Sequence, residues 1–330
     1  MTRILEKMSL LGLSLLLISA FSISTALPPM LDYYSPTYNA SQVELLVSVP
    51  SFSVVAMLLL NPFVDKWLND RQLIMTGLIL LSSAGIFPFF VQWYPLVLLS
   101  RLVFGMGIGF INAKAISIIS QRYQGKERIQ MLGIRGSVEL IGGASCSLLV
   151  GQLLKIHWTL AFLIYGFGFI ILAMYLLFVP PMEQIEKKEI QKSKQGLNKK
   201  DFAMILGMAL LSGFVICINS SISLRVPLFQ VAGKTIESGQ SALVLSLEQG
   251  IGIVAGLSFA SLIGHFKNRL LLIVMFLLAV CLFGMSVAGN LPILILSSVG
   301  VGFFYSTVLT IIFNRLSESI DRNLLNKATA

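Results

Sequence analysis

The sequence predicts an all-α protein that crosses a membrane many times, and three observations lead to this fold class. Hydrophobic residues make up 56% of the 330 residues and charged residues only 12%, a balance far from that of soluble globular proteins. The apolar residues gather in ten stretches of about 20 residues, the length that a helix needs to cross a bilayer. The lysines and arginines fall mainly in every second connection between these stretches. The stretches are roughly 8–28, 41–61, 72–92, 95–118, 131–154, 159–179, 202–224, 240–263, 270–289 and 292–313.

The basic residues predict the orientation of the chain. If the ten spans alternate, most of the 24 lysines and arginines lie on the side of the N-terminus, including the run from Lys187 to Lys200. Basic loops stay in the cytoplasm, so we expect a multi-pass protein of the inner (plasma) membrane with a cytoplasmic N-terminus. In a soluble protein the net charge of +9 would suggest nucleic acid. Here it is an orientation signal, and no nucleic-acid partner is expected.

The chain contains a weak internal repeat. The segment that begins at Pro95 reads PLVLLSRLVFG, and the segment that begins at Pro292 reads PILILSSVGVG. This offset pairs the fourth span with the tenth. It predicts two related halves, a common design among membrane transporters, with six spans in the first half and four in the second.

Several short motifs resemble the major facilitator superfamily. The loop between the second and third spans reads NPFVDKWLNDRQL, and Asp65, Lys66 and Arg71 follow the family's loop pattern in part. Asn69 and Asp70 stand where that pattern has two bases. In the fourth span, Arg101 is followed by three glycines at positions 105, 107 and 109, as in the family. Before the sixth span, the sequence HWTLAF resembles the family's W-R-x-x-F, with Thr159 in place of the arginine.

The resemblance implies two helical bundles joined by a cytoplasmic loop. We therefore expect an N-terminal six-helix bundle at residues 1–180, a basic linker at 181–201, and a second bundle at 202–330 that holds four helices. Such a chain would be cut short after its tenth helix; a natural ten-helix carrier of five-plus-five design is the alternative, and the repeat offset argues against it. The resemblance also implies that Asp65 helps to close the cytoplasmic face, with Lys66 and Arg71 in the same gating loop.

The ionisable side chains inside the predicted spans include Arg101, Lys114, Glu139 and Glu248. A charge at membrane depth costs roughly 3 kcal/mol or more, so these groups should face protein or water. They are our candidates for transport and coupling. Small residues follow three of them at helical spacing, which predicts that those faces meet other helices: Gly105 and Gly109 after Arg101, Gly143 and Ser147 after Glu139, Gly252 and Gly256 after Glu248.

Each of these charges has a functional and a structural interpretation. The depth of Lys114 in its span predicts an interhelical ion pair with Glu139; the alternative is that Glu139 pairs with Arg135 one turn earlier. Arg101 is either a cavity charge or an arginine held by backbone carbonyls at a helix break. Glu248 is either a proton carrier or a hydrogen-bonded structural carboxyl. A carboxyl at membrane depth can hold a proton near neutral pH and release it when it is wetted from the other side.

Uncharged polar side chains in the spans are candidates for the lining of a translocation path, although each is also a common helix-packing hydrogen-bond donor. Those that we single out are Asn112, Asn219, Gln249 and Tyr305. The three cysteines have neither metal-ligand nor disulfide spacing. No hydrolase or nucleotide-binding motif is present. We therefore expect no metal, no cofactor and no enzymatic activity.

The sequence thus predicts a secondary transporter of the major facilitator type. The expected activity is proton-coupled efflux of small amphipathic compounds by alternating access, with a small-molecule substrate, protons and membrane lipids as partners and a monomer as the working unit. A proton-coupled uptake permease for a small metabolite is the first alternative. A truncated, non-transporting remnant or membrane scaffold is the second.

Overall fold

In the computed structural model, the described part of the chain is helical. It comprises residues 2–17, 22–65, 67–123, 125–180, 199–229 and 238–319, and no strand occurs among them. Short 3₁₀ segments occur at Ile23–Ala26, Trp158–Gly166, Pro227–Phe229 and Lys267–Arg269. The α-helices of these residues are α1 (Thr2–Leu15), α2 (Leu27–Tyr34), α3 (Ala40–Val64), α4 (Asp70–Phe90), α5 (Tyr94–Arg122), α6 (Gly125–Leu153), α7 (Phe167–Phe178), α8 (Lys199–Arg225), α9 (Ser238–Phe266), α10 (Leu270–Ser286) and α11 (Leu291–Ser319).

Seven of these helical segments are long and apolar enough to cross a membrane. The helix Leu270–Ser286 is apolar but shorter, and α6, which carries Arg135 and Glu139, is not among the seven. Each of the ten predicted spans overlaps a helical segment of the described residues, which confirms the all-α class. The seven are Ala40–Asn61, Asp70–Phe90, Tyr94–Asn112, Trp158–Phe178, Ala203–Arg225, Gly239–Phe259 and Leu291–Ile312.

The first predicted span, 8–28, is not one continuous helix, and that prediction was wrong. Helix α1 ends at Leu15, residues 18–21 lie outside the described residues, and the chain continues as the 3₁₀ segment Ile23–Ala26 before α2. Thr25 Oγ1 donates to the Ser22 carbonyl oxygen at 3.1 Å, and Pro28 favours a new helix start. Hydropathy alone missed the break because the leucines and isoleucines continue across it.

Two helix starts in the first half are fixed by asparagine. Asn39 before α3 and Asn69 before α4 each form a capping box with the glutamine three residues later. The side-chain amides satisfy backbone groups that a helix end leaves unpaired. These caps set the start of α4 one residue after Asn69, so that Asp70 occupies its first turn.

The chain divides into two compact units. The first comprises residues 1–180 together with 223–250, and the second comprises the rest. The first unit therefore contains α1 to α7 and the adjoining ends of α8 and α9. Most of the predicted linker, 181–198, lies outside the described residues. The division into six and four helices remains a prediction.

Close helix contacts in the first unit depend on the glycines of α5. A Cβ at Gly109 would lie 2.6 Å from Cβ of Met57 on α3, and a Cβ at Gly107 would lie 2.6 Å from the backbone nitrogen of Leu81 on α4. Only glycine allows these backbones to approach so closely. The glycine pattern after Arg101 thus marks helix contacts, as predicted.

Candidate functional site

Lys114 is the centre of a buried ion cluster. Its Nζ lies 2.7 Å from Asp65 Oδ1 and 2.8 Å from Asp70 Oδ1, and its side chain is only 8% exposed. Asp65 caps the end of α3 and Asp70 begins α4, so one lysine on α5 connects three helices. Two carboxylates around one ammonium leave the cluster with a net negative charge.

The predicted ion pair between Lys114 and Glu139 was therefore wrong. Glu139 Oε2 instead lies 3.5 Å from Nη2 of Arg135, one turn earlier on the same helix. This pair is the alternative that the sequence left open. The depth estimate placed both groups inside the membrane but could not tell which helix ends lay nearer to Lys114. The acids at the ends of α3 and α4 are its partners.

The other residues of the predicted gating loop are less informative. Lys66 lies outside the described residues. Arg71 donates a long hydrogen bond, 3.5 Å, to the carbonyl of Leu176 at the end of α7. Among the described residues, the cation of this cluster is Lys114 on α5.

Arg101 is enclosed by protein. It is 1% exposed, and its Nη2 donates to the carbonyl oxygens of Ala84 and Gly85 at 3.2 and 3.0 Å. Pro88 in α4 has no N–H, which leaves the carbonyl of Ala84 without its usual helical donor. Arg101 supplies the missing donor. The geometry supports the structural interpretation of this arginine.

Aromatic rings cover the guanidinium of Arg101. Its Cζ lies 4.6 Å from the ring centre of Phe104, 4.9 Å from that of Phe162 and 5.3 Å from that of Tyr165. Two of these rings belong to the 3₁₀ segment Trp158–Gly166. Cation–π attraction is strongest where water is excluded, so Arg101 fastens this segment to α4 and α5.

The Arg135–Glu139 pair lies near the middle of α6. The two side chains are 14% and 25% exposed. On the same face, one and two turns further on, Gly143 and Ser147 are buried. This face meets the broken first span: Ser22 Oγ lies 3.5 Å from the Gly143 carbonyl oxygen.

A neutral polar cluster lies further along α6. Ser147 Oγ lies 3.4 Å from Ser22 Oγ and 3.4 Å from Nε2 of Gln249 on α9. We call these side chains the Ser22–Ser147–Gln249 cluster. All three belong to the first unit. Glu248, the neighbour of Gln249 in the chain, is 3% exposed.

The other predicted lining residues do not join this cluster. Asn112 is half-buried on α5 in the first unit, whereas Asn219 on α8 and Tyr305 on α11 are half-buried in the second. The small-residue face predicted to run on from Glu248 is not packed throughout. A Cβ at Gly256 would meet no heavy atom of the described residues within 4 Å.

Sequence reasoning missed a second set of ion pairs near the start of the chain. Arg122 Nη1 lies 2.6 Å from Glu6 Oε1, and Lys7 Nζ lies 2.6 Å from Glu127 Oε1. Arg122 also donates to the carbonyl of Pro180. Nothing in the sequence shows that the start of α1 lies beside the junction of α5 and α6.

The first unit also contains a pair that joins its α3 to the end of α8. Arg225 Nη1 lies 3.4 Å from Glu44 Oε1, with the arginine 67% exposed. In the same unit, a Cβ at Gly151 on α6 would clash with Cβ of Ala242 on α9.

Comparison with known proteins gives a consistent result. The family model for the Major Facilitator Superfamily matches residues 10–330. The multidrug resistance protein MdtL of Shigella dysenteriae (strain Sd197) is 23% identical over 286 residues, which cover 79% of this chain and 70% of that protein. MdtL of Escherichia coli O81 (strain ED1a) gives the same identity and coverage.

Solved structures show the same fold at low identity. A bacterial homologue of the human lysosomal transporter spinster, in an inward-facing and unoccupied conformation, is 17% identical with a TM-score of 0.74 and covers 98% of this chain and 78% of its own. A D-xylose–proton symporter is 14% identical with a TM-score of 0.75, covering 99% and 85%. These comparisons point to a transporter rather than an enzyme. The chain belongs to the Major Facilitator Superfamily and is a multi-pass membrane protein.

Proposed function

We propose that this protein is a proton-coupled exporter of small amphipathic compounds that works by alternating access as a monomer in the inner membrane, with its N-terminus in the cytoplasm. The family moves small molecules, and relatives with 23% identity are named multidrug resistance proteins. The predominance of basic residues on one side supports the proposed orientation.

The observation that carries the proposal is the burial of Glu248 inside a helix that is long and apolar enough to span the membrane. Glu248 lies in the interior of α9 and is 3% exposed. An ionised carboxylate is costly at membrane depth, so the protonated form is favoured while the group is shielded. If the packing around this part of α9 opens during the cycle, Glu248 gains water and can release its proton. A carboxyl that is shielded in one state and wetted in another can couple a proton to transport.

Glu139 is the second candidate for the coupling site. It lies near the middle of α6, and its side chain is 25% exposed beside Arg135. A proton on Glu139 would free Arg135 from its counter-ion, which would change the charge at the middle of the bundle. Arg101 and Lys114 are not proposed as coupling groups, because both are fixed by partners in the first unit.

The direction and energy source can be tested together in membrane vesicles. Right-side-out and inverted vesicles that contain the protein are given opposite pH gradients and a panel of labelled amphipathic compounds. Export predicts accumulation in inverted vesicles with an acidic interior, and its loss when a protonophore collapses the gradient. Accumulation confined to right-side-out vesicles would support the uptake permease instead. Transport insensitive to the gradient in both orientations would contradict proton coupling.

A further inference from the structure

Two groups of buried hydroxyls among the described residues differ in their hydrogen bonds. Members of the first group donate to a carbonyl of their own helix one turn earlier. Ser100 Oγ lies 2.7 Å from the Val97 carbonyl oxygen, Ser246 Oγ lies 2.7 Å from that of Ala242, and Thr307 Oγ1 lies 2.8 Å from that of Phe303. Such a hydroxyl is satisfied by its own helix and needs no further partner.

The hydroxyls of the Ser22–Ser147–Gln249 cluster belong to the second group. Their contacts are with other elements and measure 3.4–3.5 Å, whereas a normal O–H···O hydrogen bond measures about 2.5–3.0 Å. Ser22 and Ser147 are both fully buried. Each of the two hydroxyls donates one long hydrogen bond and accepts another, so both are held weakly and each keeps one unused acceptor site.

Further unused polar atoms lie in the same part of the first unit. Among the described residues, Oε1 of Gln249 is buried and has no hydrogen-bond partner. The same holds for the hydroxyls of Ser14, at the end of α1, and Ser24, in the 3₁₀ segment beyond the break. Interrupted spans in transporters place polar groups at binding sites. Polar groups that are buried at a helix break and poorly satisfied suit a ligand that brings its own donor.

We propose that the Ser22–Ser147–Gln249 cluster is a substrate subsite that binds an uncharged hydrogen-bonding group, a hydroxyl or an amide N–H, of the transported compound. The inference rests on the proposed function, since it requires a transported compound. Gln249 Oε1 accepts from the ligand, and the serine hydroxyls accept or donate.

Nothing in the cluster itself is charged, which is why the group it binds is uncharged. Glu139 lies two turns before Ser147, about 12 Å along α6. Glu248 neighbours Gln249 in sequence, but adjacent side chains on a helix do not face each other. An ionic part of the same substrate would therefore be held elsewhere.

The subsite can be tested in proteoliposomes with two matched probes: an amphipathic aryl alcohol and its O-methyl ether, which lacks the donor. The wild-type protein should transport the alcohol with a KM roughly tenfold below that of the ether. Gln249→Leu and Ser147→Ala should remove this preference by weakening transport of the alcohol alone. Ser100→Ala and Gln152→Leu repeat the same chemical changes at a self-satisfied serine and at the exposed end of α6. Both should keep the preference.

Two outcomes would overturn the subsite. One is a preference for the alcohol that survives in both cluster variants at normal protein yield. The other is a wild-type protein that transports both probes equally, which would mean that water satisfies the cluster. If neither probe is transported, the proposed function fails, and thermal stabilisation of the purified protein decides the subsite. The alcohol should then stabilise the wild type more than the ether does, and equal stabilisation by the two probes would contradict the subsite.

Discussion

Two cations on α5, Arg101 and Lys114, are both buried but are stabilised in different ways. Lys114 lies between two carboxylates at 2.7 and 2.8 Å. Arg101 is held by two backbone carbonyls and three aromatic rings. The difference follows from their chemistry: an ammonium is a compact point charge that suits carboxylates, whereas a planar guanidinium can stack on rings and donate in several directions.

The comparison shows why a charge in a spanning helix is weak evidence for a transport role. Both cations were candidates for coupling in the sequence, and the structure gives both a structural environment in the first unit. The groups with room for a functional role are Glu139, Glu248 and the neutral cluster at Ser147. The Glu139 side chain is 25% exposed, and the cluster at Ser147 is held by contacts of 3.4–3.5 Å.

The largest effect is expected for Lys114→Met. The change leaves Asp65 and Asp70 facing each other without a cation. Breaking a buried ion pair typically costs about 3–5 kcal/mol; here we expect about 2–3 kcal/mol, because the carboxylates are 35% and 34% exposed. The unfolding temperature in detergent should fall clearly. Adding Asp70→Asn should recover part of the loss, and Lys155→Met, at an exposed position, should cost little. No loss in Lys114→Met would contradict the cluster.

A somewhat smaller loss, about 1–2 kcal/mol, is expected for Arg101→Gln, and it should depend on Pro88. In a Pro88→Ala background, residue 88 regains an N–H that can bond to the Ala84 carbonyl. Arg101→Gln should then cost about 1 kcal/mol less. Unfolding free energies of the four proteins in this cycle give the coupling directly. Additive costs would mean that Arg101 does not replace the missing helical hydrogen bond.

The aromatic cover of Arg101 can be disturbed without touching a charge. A Cβ at Gly85 would lie 2.5 Å from Cβ of Tyr165, so Gly85→Ala should push that ring away from the guanidinium and cost about 1 kcal/mol or more. Gly136→Ala is the matched control, since a Cβ there meets no described atom within 4 Å. It should leave stability unchanged or raise it slightly. Equal effects at the two positions would argue against close packing at Gly85.

The smallest effect is a coupling energy near zero between Lys114 and Glu139. Lys114→Glu and Glu139→Lys should each lower the free energy of unfolding, because each reversed charge meets the local partner of the original side chain. Combining them should give the sum of the two losses within about 0.5 kcal/mol. A double variant that is more stable than this sum would support the interhelical pair and contradict the structure.

Much of the fold could be predicted, because hydropathy and charge placement report directly on spans. The break after Leu15 could not, since apolar residues continue through it; only its serines and Pro28 gave a signal. For Arg101 the sequence left two interpretations open, and the carbonyls of Ala84 and Gly85 support the structural one. The partners of Lys114 could not, because depth along a helix does not say which helices are adjacent. The contact between Ser22, Ser147 and Gln249 joins segments that are distant in the sequence, and no local pattern predicts it.

The central claim is that Glu248 carries the coupling proton, and Glu248→Gln in proteoliposomes tests it most directly. Glutamine keeps the shape of the side chain but cannot gain or lose a proton. Transport driven by a pH gradient should disappear, while exchange of labelled for unlabelled substrate at equal pH should persist. Glu44→Gln makes the same change at the end of α3, beside the exposed Arg225, and should retain both activities. Gradient-driven transport that survives in Glu248→Gln would contradict the account, and its loss in Glu139→Gln would then assign coupling to α6.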